Sequence, residues 1–143
     1  MKKIFILLFL VNTIHLTPSF ANEHNWQLVG ENKTGSVTVY IDTQNIRYHK
    51  DTLAVVWWQL DSYREKMPVD NYTILSNMSK TEGDCLRDRR LDLYVVFFDQ
   101  RMAKGNKVTV AEPEERKWVH DEKGSIYFKA LRKVCSIALN IKN

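Results

Sequence analysis

Glycine and proline are scarce in this chain of 143 residues, at five and three, and cysteine occurs only twice. So few glycines leave no phosphate-cradling loop, and the Gly-x-Ser-x-Gly setting of a serine nucleophile is absent. Two cysteines are too few for a cysteine-built zinc site. At positions 85 and 135 they are also too far apart for a short-spaced redox motif. His24, His49 and His120 are scattered, with no pair at metal-ligand spacing. No apolar run approaches the ~20 residues that a membrane-spanning helix needs. No two carboxylates stand out in an apolar setting, so no acid–base pair is marked. The expectation is a protein that is not an enzyme, holds no metal, and has no membrane span.

What is present begins with an export pattern. Met1-Lys2-Lys3 is followed by an apolar run over 4–11 and by Ser19-Phe20-Ala21, with small residues at the two positions a signal peptidase reads. Residues 1–21 are expected to be a signal peptide and residues 22–143 a single domain. Cleavage removes two lysines and no acid, so the formal charge falls from +4 to +2. That balance gives no support to nucleic-acid binding. No cysteine stands near Ala21 to carry a lipid, so the expected location is periplasmic or secreted, without a lipid anchor. In an oxidising compartment Cys85 and Cys135 are expected to form one disulfide. Three Asn-x-Ser/Thr triplets, at Asn32, Asn71 and Asn77, read as chance matches behind a bacterial-type leader.

The mature chain reads as strands first and a helix last. Residues 26–29 and 37–42 are expected to form a hairpin around the polar turn 31–35, with a turn or extra strand at 45–47. Residues 53–60 and 91–98 are apolar on both faces and read as central strands. Pro68 and Asp70 should end one segment, and 72–80 alternates again. Gly83-Asp84 reads as a turn. Val108 and Val110 mark a last strand ended at Pro113. Tyr127, Leu131, Val134 and Ala138 recur at helical spacing behind a Ser125 cap, with Lys129, Arg132 and Lys133 on the outer side. The disulfide should pin the last helical turn to the sheet. This order argues for an α+β fold, a single twisted antiparallel sheet with one C-terminal helix. One helix covers part of one sheet face only. Curling of the sheet, the charged 112–123 segment with Trp118, or a second subunit in a homodimer could cover the rest.

The candidate binding residues are basic and aromatic. Arg87, Arg89 and Arg90 are the densest basic cluster, interleaved with Asp88 and Asp92. In an extended chain Arg87 and Arg89 share a face, and Arg90 joins the two aspartates on the other. Ion pairing at a solvated strand end is the commoner use of such a cluster. Arg101, Lys104 and Lys107 add positive charge on the next hairpin. Trp57 and Trp58 point to opposite faces, so one can reach a partner while core packing claims the other.

Several landmarks occur together in order: Trp26-Gln27-Leu28-Val29-Gly30, Val39-Tyr40-Ile41-Asp42, Asn45-Ile46, Val56-Trp57, Asp84-Cys85 with Arg89-Arg90, Trp118, Ser125 and Val134-Cys135. In this order the chain resembles the surface-adhesin protein E family of Gram-negative bacteria. The resemblance implies a twisted sheet of about six strands and a C-terminal helix joined to it by a disulfide. It implies adhesion to host matrix proteins such as vitronectin and laminin, an associated haem binding, and a dimer. The residues alone also allow a soluble periplasmic accessory or inhibitor protein with a bacterial partner.

Overall fold

Seven strands and one helix follow one another along residues 24–140, the part of the chain that the computed structural model describes. The strands are β1 (Trp26–Glu31), β2 (Val37–Asp42), β3 (Arg47–His49), β4 (Ala54–Val69), β5 (Tyr72–Asp84), β6 (Arg89–Phe98) and β7 (Lys107–Ala111). The helix α1 spans Ile126–Asn140. The leader expected over residues 1–21 lies outside the described residues. All pairings are antiparallel, in the order β1-β2-β4-β5-β6-β7, with β3 also on β4. The α+β expectation holds, with one strand more because the chain after Asn45 pairs with β4.

The expected breaks at Pro68 and Gly83 do not occur. β4 continues through Pro68, opposite Thr73, and turns at Asp70-Asn71. The pair Val69–Tyr72 closes this two-residue hairpin, so Pro68 occupies the next position, where a strand residue points its N–H outward. β2 stops pairing with β4 at Tyr63, and the proline therefore costs the ladder nothing. Gly83 lies inside β5, opposite Val55, and the chain turns only after Asp84.

The core lies between α1 and one end of the sheet. Val39, Ile41, Val55 and Trp57 meet Ile126, Ala130, Leu131, Val134, Cys135 and Ala138 there. The helix begins as expected: the Ser125 hydroxyl accepts the Phe128 N–H at 3.2 Å. Cys85 and Cys135 are bonded, with their Cα atoms 5.8 Å apart. Cys135 falls in the third turn of α1 rather than the last. Gly83 is the sheet's contact point with the helix. A Cβ there would stand 2.6 Å from Leu131 Cδ1 and 2.9 Å from Trp57 Cζ3. Gly83→Ala is therefore expected to destabilise by about 1–3 kcal/mol through overpacking. Urea denaturation measures it, and an unchanged midpoint would show that the helix shifts away without cost.

Candidate binding surface

The basic residues singled out in the sequence fall at two ends of the sheet. Arg87 and Arg89 flank the turn between β5 and β6, beside the disulfide. Arg101, Lys104 and Lys107 lie beyond the other end of β6, whose 10 residues hold the two groups apart. At the usual rise of a strand that separation is roughly 30 Å. The two groups cannot form one patch.

At the disulfide end, Asp84 organises the arginines. Its carboxylate accepts Arg87 Nη1 at 3.0 Å and Arg89 Nε at 3.2 Å. It also accepts the Leu86 and Arg87 amides, both at 3.1 Å. Burial works against the charge of Asp84, but these donors outweigh it and hold the carboxyl below its ordinary value. Asp88 belongs to the turn, with φ of 49°, and takes Arg132 of α1 at 3.0 Å. The expected sharing of one face by Arg90, Asp88 and Asp92 is therefore only half right: Arg90 meets Asp92 at 3.4 Å, and Asp88 turns to the helix. The Arg89 guanidinium lies over the Trp118 ring, 4.4 Å from its centre. Arg87 remains 65% exposed, and Leu86 beside it 71%.

Arg90 does not belong to the surface. Only 12% exposed, it donates to both Asp121 oxygens, at 2.8 and 3.2 Å, and its guanidinium stands over the Tyr127 ring. Its own backbone exchanges two hydrogen bonds with Val119. The charged segment before α1 is thus fastened along the edge of β6 rather than laid over a sheet face.

Arg101 is likewise structural. β4 carries three more residues than β5 between Ser62 and Met67, and this bulge turns out backbone carbonyls. Arg101 donates from Nε to the Tyr63 carbonyl at 2.9 Å and from Nη2 to that of Arg64. Ser76 ties the same short 3₁₀ turn, Arg101–Ala103, to the sheet. Lys104 and Lys107 stay exposed.

The tryptophan pair divides as strand geometry requires. Trp57 is fully buried under α1 and is removed from the candidate binding surface, because β4 aims it at Leu131 and Gly83. Trp58 points to the far side of the sheet and is half-buried, in a row with Lys80 and Tyr94. The Trp58 and Tyr94 rings meet edge to face at 6.4 Å, and His24 stacks on Trp26 at 4.8 Å beside them. Asp42 fixes this corner, accepting from the Asn45 side chain and the Gln44 amide and bonding His24 Nδ1.

The polar interior was not anticipated from the sequence. Gln59, Asp61, Asn77, Ser79 and Thr81 are all buried on the helix side of the sheet, next to the apolar core. The signal was available: Gln59 and Asp61 stand at alternate positions of a strand whose inward neighbours are Val55 and Trp57.

Among the described residues, two open cavities lie against α1. One, of about 480 Å³, runs beside the disulfide between Leu53, Leu86, Arg132 and Leu139. The other, of about 390 Å³, separates the β1–β2 turn from the start of α1. Neither is lined by a histidine, a methionine or a free thiol. His24 is engaged by Asp42 and Trp26, and among the described residues no cluster of three metal ligands occurs. Each cavity does carry a tyrosine, Tyr48 in the first and Tyr127 in the second, and no step is derived through haem.

The architecture is one antiparallel sheet with a C-terminal helix stapled across one end by a disulfide and an arginine–tryptophan contact at its edge. The model of the family "Surface-adhesin protein E" matches residues 26–136, and the chain belongs to that family. In structure it is similar to Haemophilus influenzae protein E, with a TM-score of 0.54 at 15% identity over 76% of this chain and 83% of that one. A second crystal form of that protein gives 0.54 at 14%, over 75% of this chain and 86% of that one. At such identities the likeness establishes the fold alone. No curated protein matches the chain. No helix among the described residues is long and apolar enough to cross a membrane.

Proposed function

We propose that this chain is an exported, non-catalytic adhesin that engages host extracellular-matrix proteins through the disulfide end of its sheet. The observation that carries the reading is the family match over residues 26–136. The disulfide supports an oxidising location outside the cytoplasm. The surface chosen is the one where arginine, tryptophan and an exposed leucine meet. Arg87, Arg89, Trp118 and Leu86 lie around one turn, and such residues are favoured at protein interfaces, leucine excepted. For the dimer that the family implies, the available face is the half-exposed row of Trp58, Tyr94 and Trp26.

The test is binding of the purified domain to immobilised vitronectin and laminin, compared with Arg87→Ala and with Lys104→Ala/Lys107→Ala. Arg87→Ala is expected to slow association several-fold at low salt, as loss of an exposed charge does. The lysine pair, at the far end, should leave it unchanged. Equal loss in both variants would mean diffuse electrostatic attraction. No binding of the unaltered domain at moderate salt would sink the proposal. Sedimentation of Trp58→Ala against the parent tests the dimer face.

A further inference from the structure

The cavity beside the disulfide, of about 480 Å³, is walled by apolar side chains that the fold leaves in water. Leu86 and Leu139 line it at 71% and 49% exposure, and Leu53 lines it half-buried. Leu86 is not loosely held there. Its turn is fixed by the Cys85 bridge, by the Leu86 and Arg87 amides on Asp84, and by the Asp88–Arg132 pair. An apolar side chain presented on a rigid turn loses little freedom when a partner covers it. Leu53 gives a second sign. It ends the turn between β3 and β4, which the pair His49–Ala54 closes, and its φ is 56°. Leucine rarely adopts that left-handed conformation, and residues held in it cluster at binding sites.

Arginines form one rim. Arg132 lines the cavity, and Arg87 follows Leu86. The Arg132 guanidinium spends Nη1 on Asp88, and that of Arg87 spends Nη1 on Asp84. Nε and Nη2 of each, an edge that matches a carboxylate, stay open on side chains 53% and 65% exposed. Asp84 is already committed to Arg87, Arg89 and two backbone amides. Arg87, Arg89 and Arg132 thus face only Asp84 and Asp88, while Lys50 and Asp51, in the turn before Leu53, cancel. One positive charge is left uncompensated. At the opposite rim, the last turn of α1 holds Leu139, carries no basic residue and has the partial negative charge of a helix C-terminus. A carboxylate is therefore favoured on the arginine side and an apolar group beside Leu139.

We propose that this cavity seats apolar side chains of an acidic segment of the partner protein, whose carboxylates pair with Arg132 and Arg87. The proposal rests on the disulfide end being the contact surface and adds the chemistry of what it contacts. The volume lies in the range of ligand sites and has room for more than one leucine-sized side chain. The arginines steer the segment in, and the leucines hold it. Association is then set by charge and dissociation by apolar contact.

Two measurements test it. In the first, the ¹⁵N-labelled domain is titrated with acetyl-Glu-Glu-Leu-Leu-Glu-Glu-amide and with the counterpart in which lysine replaces each glutamate. The acidic peptide should give saturable shifts confined to amides around Leu53, Leu86, Arg132 and Leu139, and the basic peptide none there. Leu86→Ala/Leu139→Ala, at exposed positions, should keep the parent's urea midpoint and weaken the acidic peptide about tenfold. No saturable shift, an equal response to the basic peptide, or an unweakened variant overturns the proposal. In the second, the same variant and the parent are compared on immobilised vitronectin and laminin. The variant should associate at the parent's rate and dissociate about tenfold faster. If the parent binds and the variant dissociates no faster, the cavity is overturned and the adhesin reading stands. If the parent binds neither protein, the adhesin reading falls and the peptide titration decides the cavity by itself. Self-association of the parent that the variant abolishes, seen by sedimentation, would put a second copy in the cavity and overturn the acidic segment.

Discussion

Replacing Cys85 and Cys135 together by alanine should lower the stability of the domain by about 4 kcal/mol in the chain-entropy account of a closed loop. The bridge spans 50 residues, which hold all of β6 and β7 and most of α1. Without it, the unfolded chain regains the freedom of that whole segment. The folded state also loses packing, because Cys135 is 2% exposed and belongs to the core cluster with Val134 and Ala138. The position of Cys135 in the third turn of α1 matters. A bridge at the final turn would tether an end that can fray. A bridge inside the helix holds the stretch that packs on Trp57 and Val55. The measurement is urea denaturation of parent and double alanine variant, each with and without reductant. Reductant should move the parent to the midpoint of the variant and leave the variant where it is. A parent indifferent to full reduction would show that the sheet and helix hold without the bridge. A core of this size makes that outcome hard to reconcile with the usual marginal stability of small domains.

Much of this fold could be read from residue patterns because it depends on them directly. The alternation at Val37, Val39 and Ile41 places one face of β2 under α1. The spacing of Leu131, Val134 and Ala138 does the same for the helix. The two cysteines needed only an oxidising compartment to be paired. Other features depend on contacts between distant segments, and local pattern is blind to those. Pro68 looked like a strand end, but a proline is harmless where its missing N–H has no neighbour, and only the register with Thr73 reveals that. Gly83 looked like a turn, because a glycine chosen for the approach of Leu131 is indistinguishable in sequence from one chosen for its dihedral angles. The candidate site suffered in the same way. The basic cluster at 87–90 was visible as a run of charge, yet its members have different surroundings. Arg87 is in solvent, Arg89 lies on a tryptophan 29 positions later in the chain, and Arg90 is nearly buried against Asp121. Charge density along the chain identified the cluster. It could not say which arginine was free to meet a partner.

That difference sets the second large effect. Arg90→Ala is expected to destabilise the domain by about 3–5 kcal/mol, the usual consequence of removing one partner of a buried ion pair. Arg87→Ala should change stability by less than about 1 kcal/mol, because its pair with Asp84 is exposed on the arginine side. Arg90 leaves behind Asp121 at 9% exposure, Asp92, and the carboxyl of Asp61 with no cation nearby. It also abandons the Tyr127 ring, 4.8 Å below its guanidinium. Arg90→Lys keeps the charge but cannot address both Asp121 oxygens at once, so it should recover only part of the loss. Changing both partners, Arg90→Met with Asp121→Leu, removes the stranded charge and should be far milder than Arg90→Ala alone. Urea midpoints rank the four proteins. Limited proteolysis adds the location, since release of Asp121 should expose the segment 112–121 to cleavage while β5 and β6 stay protected. Equal stability of Arg90→Ala and Arg87→Ala would mean that the segment before α1 is held by its backbone bonds at Val119 and that the guanidinium contributes nothing. If the ranking holds, any loss of matrix binding by Arg90→Ala reports a detached edge rather than a lost contact. Arg87, with Trp118 and Arg89 beside it, is then the place to look for the contact itself.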